Sequence, residues 1–199
     1  MTRPGISPVQ IKLLVVATGL VASGWSGWLV AQSKPPLPAV VGITHAEIAA
    51  VLAYSGAEGA GTDRQIKVVD AGGYQVGIGV LHRGPTRKGA PIAAISHAQV
   101  TEVFHILSGS GVLVTGGAVD NERPFPPETE FVRLAVGPST GGTFRGGDRR
   151  RVEAGDIVVV PAGVPHGFDE IDDHLDYLSV RPDTTKSLPP GYVHPALRK

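Results

Sequence analysis

Two stretches of this chain gather residue types that hold metal ions or move protons. The first runs His97-Ala98-Gln99-Val100-Thr101-Glu102-Val103-Phe104-His105 and on through Ile106 and Leu107 to Ser108-Gly109-Ser110-Gly111. The second is Gly155-Asp156-Ile157-Val158-Val159-Val160-Pro161-Ala162-Gly163-Val164-Pro165-His166. The chain has no cysteine, which removes thiolate nucleophiles, Fe–S clusters and disulfide frameworks. Any transition metal must therefore be held by imidazole and carboxylate. A single histidine on a strand is ordinarily a hydrogen-bonded structural residue, so His166 alone would say little. There is no Gly-x-Ser-x-Gly elbow, no Walker loop, no Gly-x-Gly-x-x-Gly opening a helix and no His-Glu-x-x-His. Serine-hydrolase, nucleotide-binding and zincin chemistries thus have no anchor.

The elements that must position these residues read as strands. From about residue 66 the hydrophobic period is two: Tyr74, Val76, Ile78 and Val80 alternate with Gln75, Gly77, Gly79 and Leu81. A partner strand over 66–69 lies across the turn Ala71-Gly72-Gly73. Further strands are expected at 92–97, 102–107, 112–115, 131–136, 156–160, 166–170 and 174–180. Ser108-Gly109-Ser110-Gly111 reads as a hairpin turn, and Gly116–Glu130, with Pro124, Pro126 and Pro127, as a long loop of the lid or binding kind. Thr44 three residues before Glu47 has the form of a capping box and predicts one short helix over about 45–54. Many short strands in succession suggest a sandwich or small barrel.

Together the two stretches resemble the motifs of the cupin superfamily. In the first motif two histidines one residue apart precede a glutamate, and a glycine follows after six residues. Glu102 and Gly109 have that spacing, and His97 stands where the second histidine belongs. The second motif, Gly-x5-Pro-x-Gly-x2-His, is matched by Gly155, Pro161, Gly163 and His166. Two positions depart: Ile95 replaces the first histidine, and Glu170 replaces an asparagine that often closes the second motif. The resemblance covers about 66–182. It implies an all-β cupin double-stranded β-helix, a jelly-roll-type small barrel, with the short helix before it. It also implies an interior pocket and frequent dimers. The metal ligands it implies are His97, Glu102 and His166, with His97 and Glu102 flanking one hairpin and His166 entering from another. Two imidazoles and a carboxylate suit Fe, Mn or Zn. Ile95, Gln99, Phe104 and Ile106 are candidate pocket-lining residues, and His105 has the opposite strand parity to Glu102. A barrel that kept the fold and lost the metal is the alternative.

The rest of the chain bounds the setting. Of 199 residues, 18 are basic and 18 acidic, a balance unlike that of a nucleic-acid binder. Arg3 and Lys12 precede an uncharged run from Leu13 to Ser33, which reads as an export signal or an uncleaved membrane anchor over 1–33. Either places the remainder outside the cytoplasm, periplasmic or extracellular. A proline-rich linker over 34–43, the helix and barrel over 44–183, and an extended tail over 184–199 complete the expected organisation. Arg149-Arg150-Arg151 reads as a solvated hairpin edge, and Tyr177 as core. Arg83 reads as a surface arginine or, near the barrel mouth, as a group for an anionic substrate. The function these observations support is a metal-dependent cupin acting on a small organic molecule, oxygenase-type chemistry leading. The alternative is a non-enzymatic small-molecule-binding barrel, and in either case a homodimer is expected.

Overall fold

The computed structural model of the chain describes residues 39–56 and 62–198. The segment expected to direct export or anchoring, and the first half of the proline-rich linker, lie outside the described residues. Among the described residues no helix is long and apolar enough to cross a membrane.

The described residues form an all-β, curled antiparallel sheet with one short α-helix. Helix α1 spans His45–Leu52 and opens on the expected capping box: Thr44 Oγ1 accepts from the Glu47 amide, and Glu47 accepts from the Thr44 amide at 2.7 Å. Its far end is closed from outside. Arg64 Nη1 donates to the carbonyls of Val51, Leu52 and Tyr54 at 2.6–3.1 Å, tying down the last turn of the helix and the residues just past it. The helix buries Val51 against Ile66 and Val80.

Ten strands follow: β1 Asp63–Asp70, β2 Gln75–Arg83, β3 Ala93–His97, β4 Glu102–Thr115, β5 Ala118–Pro124, β6 Ser139–Arg145, β7 Asp148–Glu153, β8 Ile157–Val160, β9 His166–Asp169 and β10 Leu175–Asp183. The path β1-β2-β10-β4-β9-β3-β6-β5 is hydrogen-bonded throughout. Strand β4 is its axis. Along one side it pairs with β8 and then β7, and along the other with β10 and then β9. The two halves of β4 thus belong to two facing portions of the sheet, and the core of Leu81, Phe104, Leu113, Phe168, Leu175 and Tyr177 lies between them.

Three expectations are corrected here. Ser108–Gly111 is not a hairpin turn but the bend inside the continuous β4. Gly109 takes φ +74°, and a Cβ there would sit 1.9 Å from the His174 carbonyl oxygen. Close by, the pairing with β10 passes over Leu107 between Ile106 and Ser108, a bulge that disturbs the strand without ending it. Residues 131–136 are not a strand but a single π-helical turn, Phe131–Val136. Its buried residues, Val132, Ala135 and Val136, are spaced for a helix face, and a six-residue apolar run does not distinguish the two. Within the expected loop 116–130 the chain forms β5, paired with β6. The triple arginine lies on the exposed β7, as expected of a hairpin edge. The final residues fold back on their own chain: Leu188 and His194 are buried, and Val193 bridges to Lys67 of β1.

Candidate metal centre

Three strands bring His97, Glu102 and His166 to one point. His97 closes β3, Glu102 opens β4 and His166 opens β9, paired in register with Ile95. The turn Pro161-Ala162-Gly163 carries the chain into β9 and is tied to β3 by the Gly163 amide, which donates to the His97 carbonyl at 2.8 Å. Gly163 has φ +81°, a conformation glycine adopts without steric cost.

All three side chains are buried. Glu102 Oε2 lies 3.2 Å from His97 Nε2 and 3.1 Å from His166 Nε2, and the three atoms fall within 4.8 Å of one another. Donors at right angles around a metal, each about 2.1 Å from it, stand about 3.0 Å apart. The spacing of the carboxylate from each imidazole therefore fits adjacent positions around one ion.

The neighbouring hydrogen bonds set what these atoms present. Ser139 Oγ donates to the Gly137 carbonyl, so it accepts from His97 Nδ1–H at 2.8 Å. His166 Nδ1 lies 3.1 Å from the Val164 carbonyl, which can only accept, so that nitrogen carries a proton too. In the neutral rings both Nε2 atoms are then bare lone pairs aimed at Glu102 Oε2. Burial lowers the His97 pKa despite the opposing carboxylate, which favours the neutral ring. Burial alone would raise the Glu102 pKa. The Arg181 charge and the two histidine contacts outweigh it and hold the carboxyl well below its usual range. Three electron-pair donors thus face one another, an arrangement a cation relieves.

The carboxylate is oriented from behind. Glu102 Oε1 accepts from Ser179 Oγ at 2.7 Å and from Arg181 Nε at 2.9 Å. Arg181, completely buried, also donates to Gln65 Oε1 at 2.7 Å and to Asp63 Oδ2 at 2.5 Å. Burial opposes the Arg181 charge, but Asp63 and Glu102 hold its pKa above the ordinary value. Burial raises the Asp63 pKa against the pull of Arg181, and its Oδ1 has no hydrogen-bond partner among the described residues. Gly77 and Gly79 of β2 make room for this group: a Cβ at Gly79 would sit 2.7 Å from Arg181 Nη1.

The three donors line a cavity of about 440 Å³ together with Ile95, Arg83, Tyr177 and Asp63, while Phe131, Leu134 and Ala135 of the π-helical turn wall one side. Phe104 and Ile106 share the inward face with Glu102 but are packed into the core instead of lining the cavity. Gln99 is exposed and accepts from Thr185 Oγ1, because β3 ends at His97 and strand parity no longer applies beyond it. His105 is exposed on the outer face. Tyr177 is buried, and its hydroxyl accepts from Arg83 Nε at 2.9 Å.

No sequence motif marks Ser139, Ser179, Arg181 or Asp63 as part of the site. For two of them a signal existed. Strand β10 alternates strictly, so the parity that puts Tyr177 inside also puts Ser179 and Arg181 there.

No protein-family model matches the sequence, and no curated protein is similar to it. Solved structures are similar at low identity. A protein from Bacillus halodurans is 14% identical over 80% of this chain and 90% of that one, with a TM-score of 0.41. An RmlC-like cupin family protein with a double-stranded β-helix fold, from Methanocaldococcus jannaschii, is 16% identical over 66% and 89%, at 0.36. A putative sugar phosphate isomerase from Acidithiobacillus ferrooxidans is 16% identical over 54% of this chain and 49% of that one, at 0.32. This chain spans about half the length of the last.

Proposed function

We propose that the chain is a metal-dependent cupin that acts on a small organic molecule in the cavity beside Ile95. His97, Glu102 and His166 would hold a divalent Fe, Mn or Zn ion. The observation that carries this reading is the convergence of two bare Nε2 atoms and one carboxylate oxygen with no proton donor among their neutral forms. Such an ion would supply Lewis acidity or, as iron, oxygen activation, and oxygenase-type chemistry is the reaction class to test first. The chain's own residues do the rest. Ser139 and the Val164 carbonyl fix the ring tautomers, Ser179 and Arg181 fix the carboxylate, and the π-helical turn shields the cavity from water. Ile95, at the position the resemblance gives to a third histidine, leaves a coordination site for water or substrate. The uncharged run over 13–33 supports an exported or membrane-anchored location.

A metal-free binding barrel is the second reading. The distances of 3.1 and 3.2 Å suit it as well, since an imidazolium ring donating to the carboxylate would span them without a metal. Metal analysis of the untagged full-length chain separates the two. Near-stoichiometric metal is expected, lost in His166→Ala and held about 10- to 100-fold more weakly in Ser139→Ala, which leaves the His97 ring without its partner. Absence of metal after incubation with Fe²⁺, Mn²⁺ and Zn²⁺ would leave the binding barrel as the better account.

A further inference from the structure

The cavity wall holds a second polar feature opposite in character to the three donors. Arg83, at the end of β2, lines the same cavity. Its Nε is committed to Tyr177, and its guanidinium lies over the Phe168 ring at 5.1 Å and near the Tyr177 ring at 5.8 Å. These contacts orient the group but do not neutralise it. Among the described residues no carboxylate stands within ion-pair distance of Arg83, and its two terminal amino groups make no hydrogen bond. Arg181 differs in being matched by both Asp63 and Glu102. Tyr177 is in a similar position: its oxygen accepts from Arg83, while its own hydroxyl proton has no acceptor among the described residues.

We propose that Arg83 and Tyr177 form a carboxylate-binding subsite, so that the small organic molecule handled in this cavity is an organic acid. The proposal rests on reading the cavity as the substrate chamber of the metal site, and it names the class of substrate. The two free amino groups of Arg83 form a planar fork that matches the two oxygens of a carboxylate, and the Tyr177 hydroxyl supplies a third donor. Burial raises the Tyr177 pKa to about 12, so the phenol keeps its proton. Burial opposes the charge on Arg83, yet the neighbouring Tyr177, Asp63 and Glu102 hold its pKa above the ordinary arginine value. The charges at the base of the cavity agree with this assignment. Asp63, Glu102 and Glu130, which also lines the cavity, outnumber Arg181 and Arg83 by one charge, so a bound divalent ion makes the site net positive and suited to an anion.

The test is calorimetric or saturation-transfer titration of the full-length chain, loaded with Mn²⁺, with benzoate and with its neutral counterpart benzamide. Metal content is measured on the same samples. Benzoate is expected to bind more tightly than benzamide. In Arg83→Gln benzoate should weaken by about 10- to 100-fold, the cost of losing hydrogen bonds to a charged group, while benzamide binding and metal content stay near the parent values. Arg83→Lys should recover part of the loss, because it restores charge without the fork. Tyr177→Phe keeps the arginine and should weaken benzoate selectively as well, which guards against an Arg83→Gln variant that folds poorly. Equal affinity for benzoate and benzamide, or a benzoate preference that survives Arg83→Gln, would overturn the proposal while a bound metal still supported the metal centre. An Arg83-dependent benzoate preference without bound metal would do the opposite.

Discussion

At the base of the cavity Arg181 meets Asp63 and Glu102 with its side chain wholly buried. Removing one partner of a buried ion network leaves uncompensated charge, whereas the intact network can contribute little net stability. Arg181→Met should therefore lower the unfolding free energy by about 3–5 kcal/mol, measured by urea titration with the metal removed. A loss below about 1 kcal/mol would mean that the two carboxylates take up protons or water at little cost. The residues around this network show what a sequence reveals and what it hides. His97, Glu102 and His166 stand out because their types and spacing match a motif. Ser139 does not, since a serine after Gly137-Pro138 carries no mark of the ring it will face.

At the scale of elements, α1 illustrates a local signal that the tertiary structure then extends. The Thr44–Glu47 capping box is readable from two residues, but Glu47 also accepts from Lys67 Nζ at 2.7 Å across to β1. The hydrogen bond from Lys67, and then that from the Thr44 amide, lowers its pKa from 4.5 to about 2. The folded-state value is the lower one, so between these values the unfolded chain binds the extra proton, and stability falls as pH falls. The contribution is complete above about pH 4.5 and is lost as pH falls through about 2. A Glu47→Gln variant should accordingly be less stable than the parent at pH 6, with the gap narrowing between pH 4.5 and 2. Chemical denaturation across that range checks it, and a pH-independent gap would place the effect in helix propensity instead. Strand β4 shows the opposite case. Its glycine signal reads as a turn, yet the strand continues, because flanking strands on both sides pair with both of its halves.

Across the whole molecule, the last segment is stitched to the first strands. Leu188 lies beyond β10 yet is 1% exposed, and a Cβ at Gly77 of β2 would come within 2.8 Å of its Cδ1. Leu188→Ala should cost about 2–5 kcal/mol in equilibrium unfolding, the range of a core leucine. A cost below about 0.5 kcal/mol would assign the segment to the surface. The same closure brings Arg181 of β10 to Glu102, 79 residues away in the chain, and to Asp63 of β1, 118 residues away.

By itself the sequence determined the all-β class, the capped helix, the turn between β1 and β2, and three residues able to hold an ion. These follow from local physics: a hydrophobic period of two, a three-residue capping spacing, and side-chain chemistry that is independent of context. The tertiary structure alone decided that Ser108–Gly111 bends a strand instead of ending it, that Phe131–Val136 winds into a helical turn, and that Gln99 points to solvent. It also decided which charges stand buried beside the site. Each depends on partners tens of residues away, and a burial or a hydrogen bond exists only once the sheet has curled and closed over it.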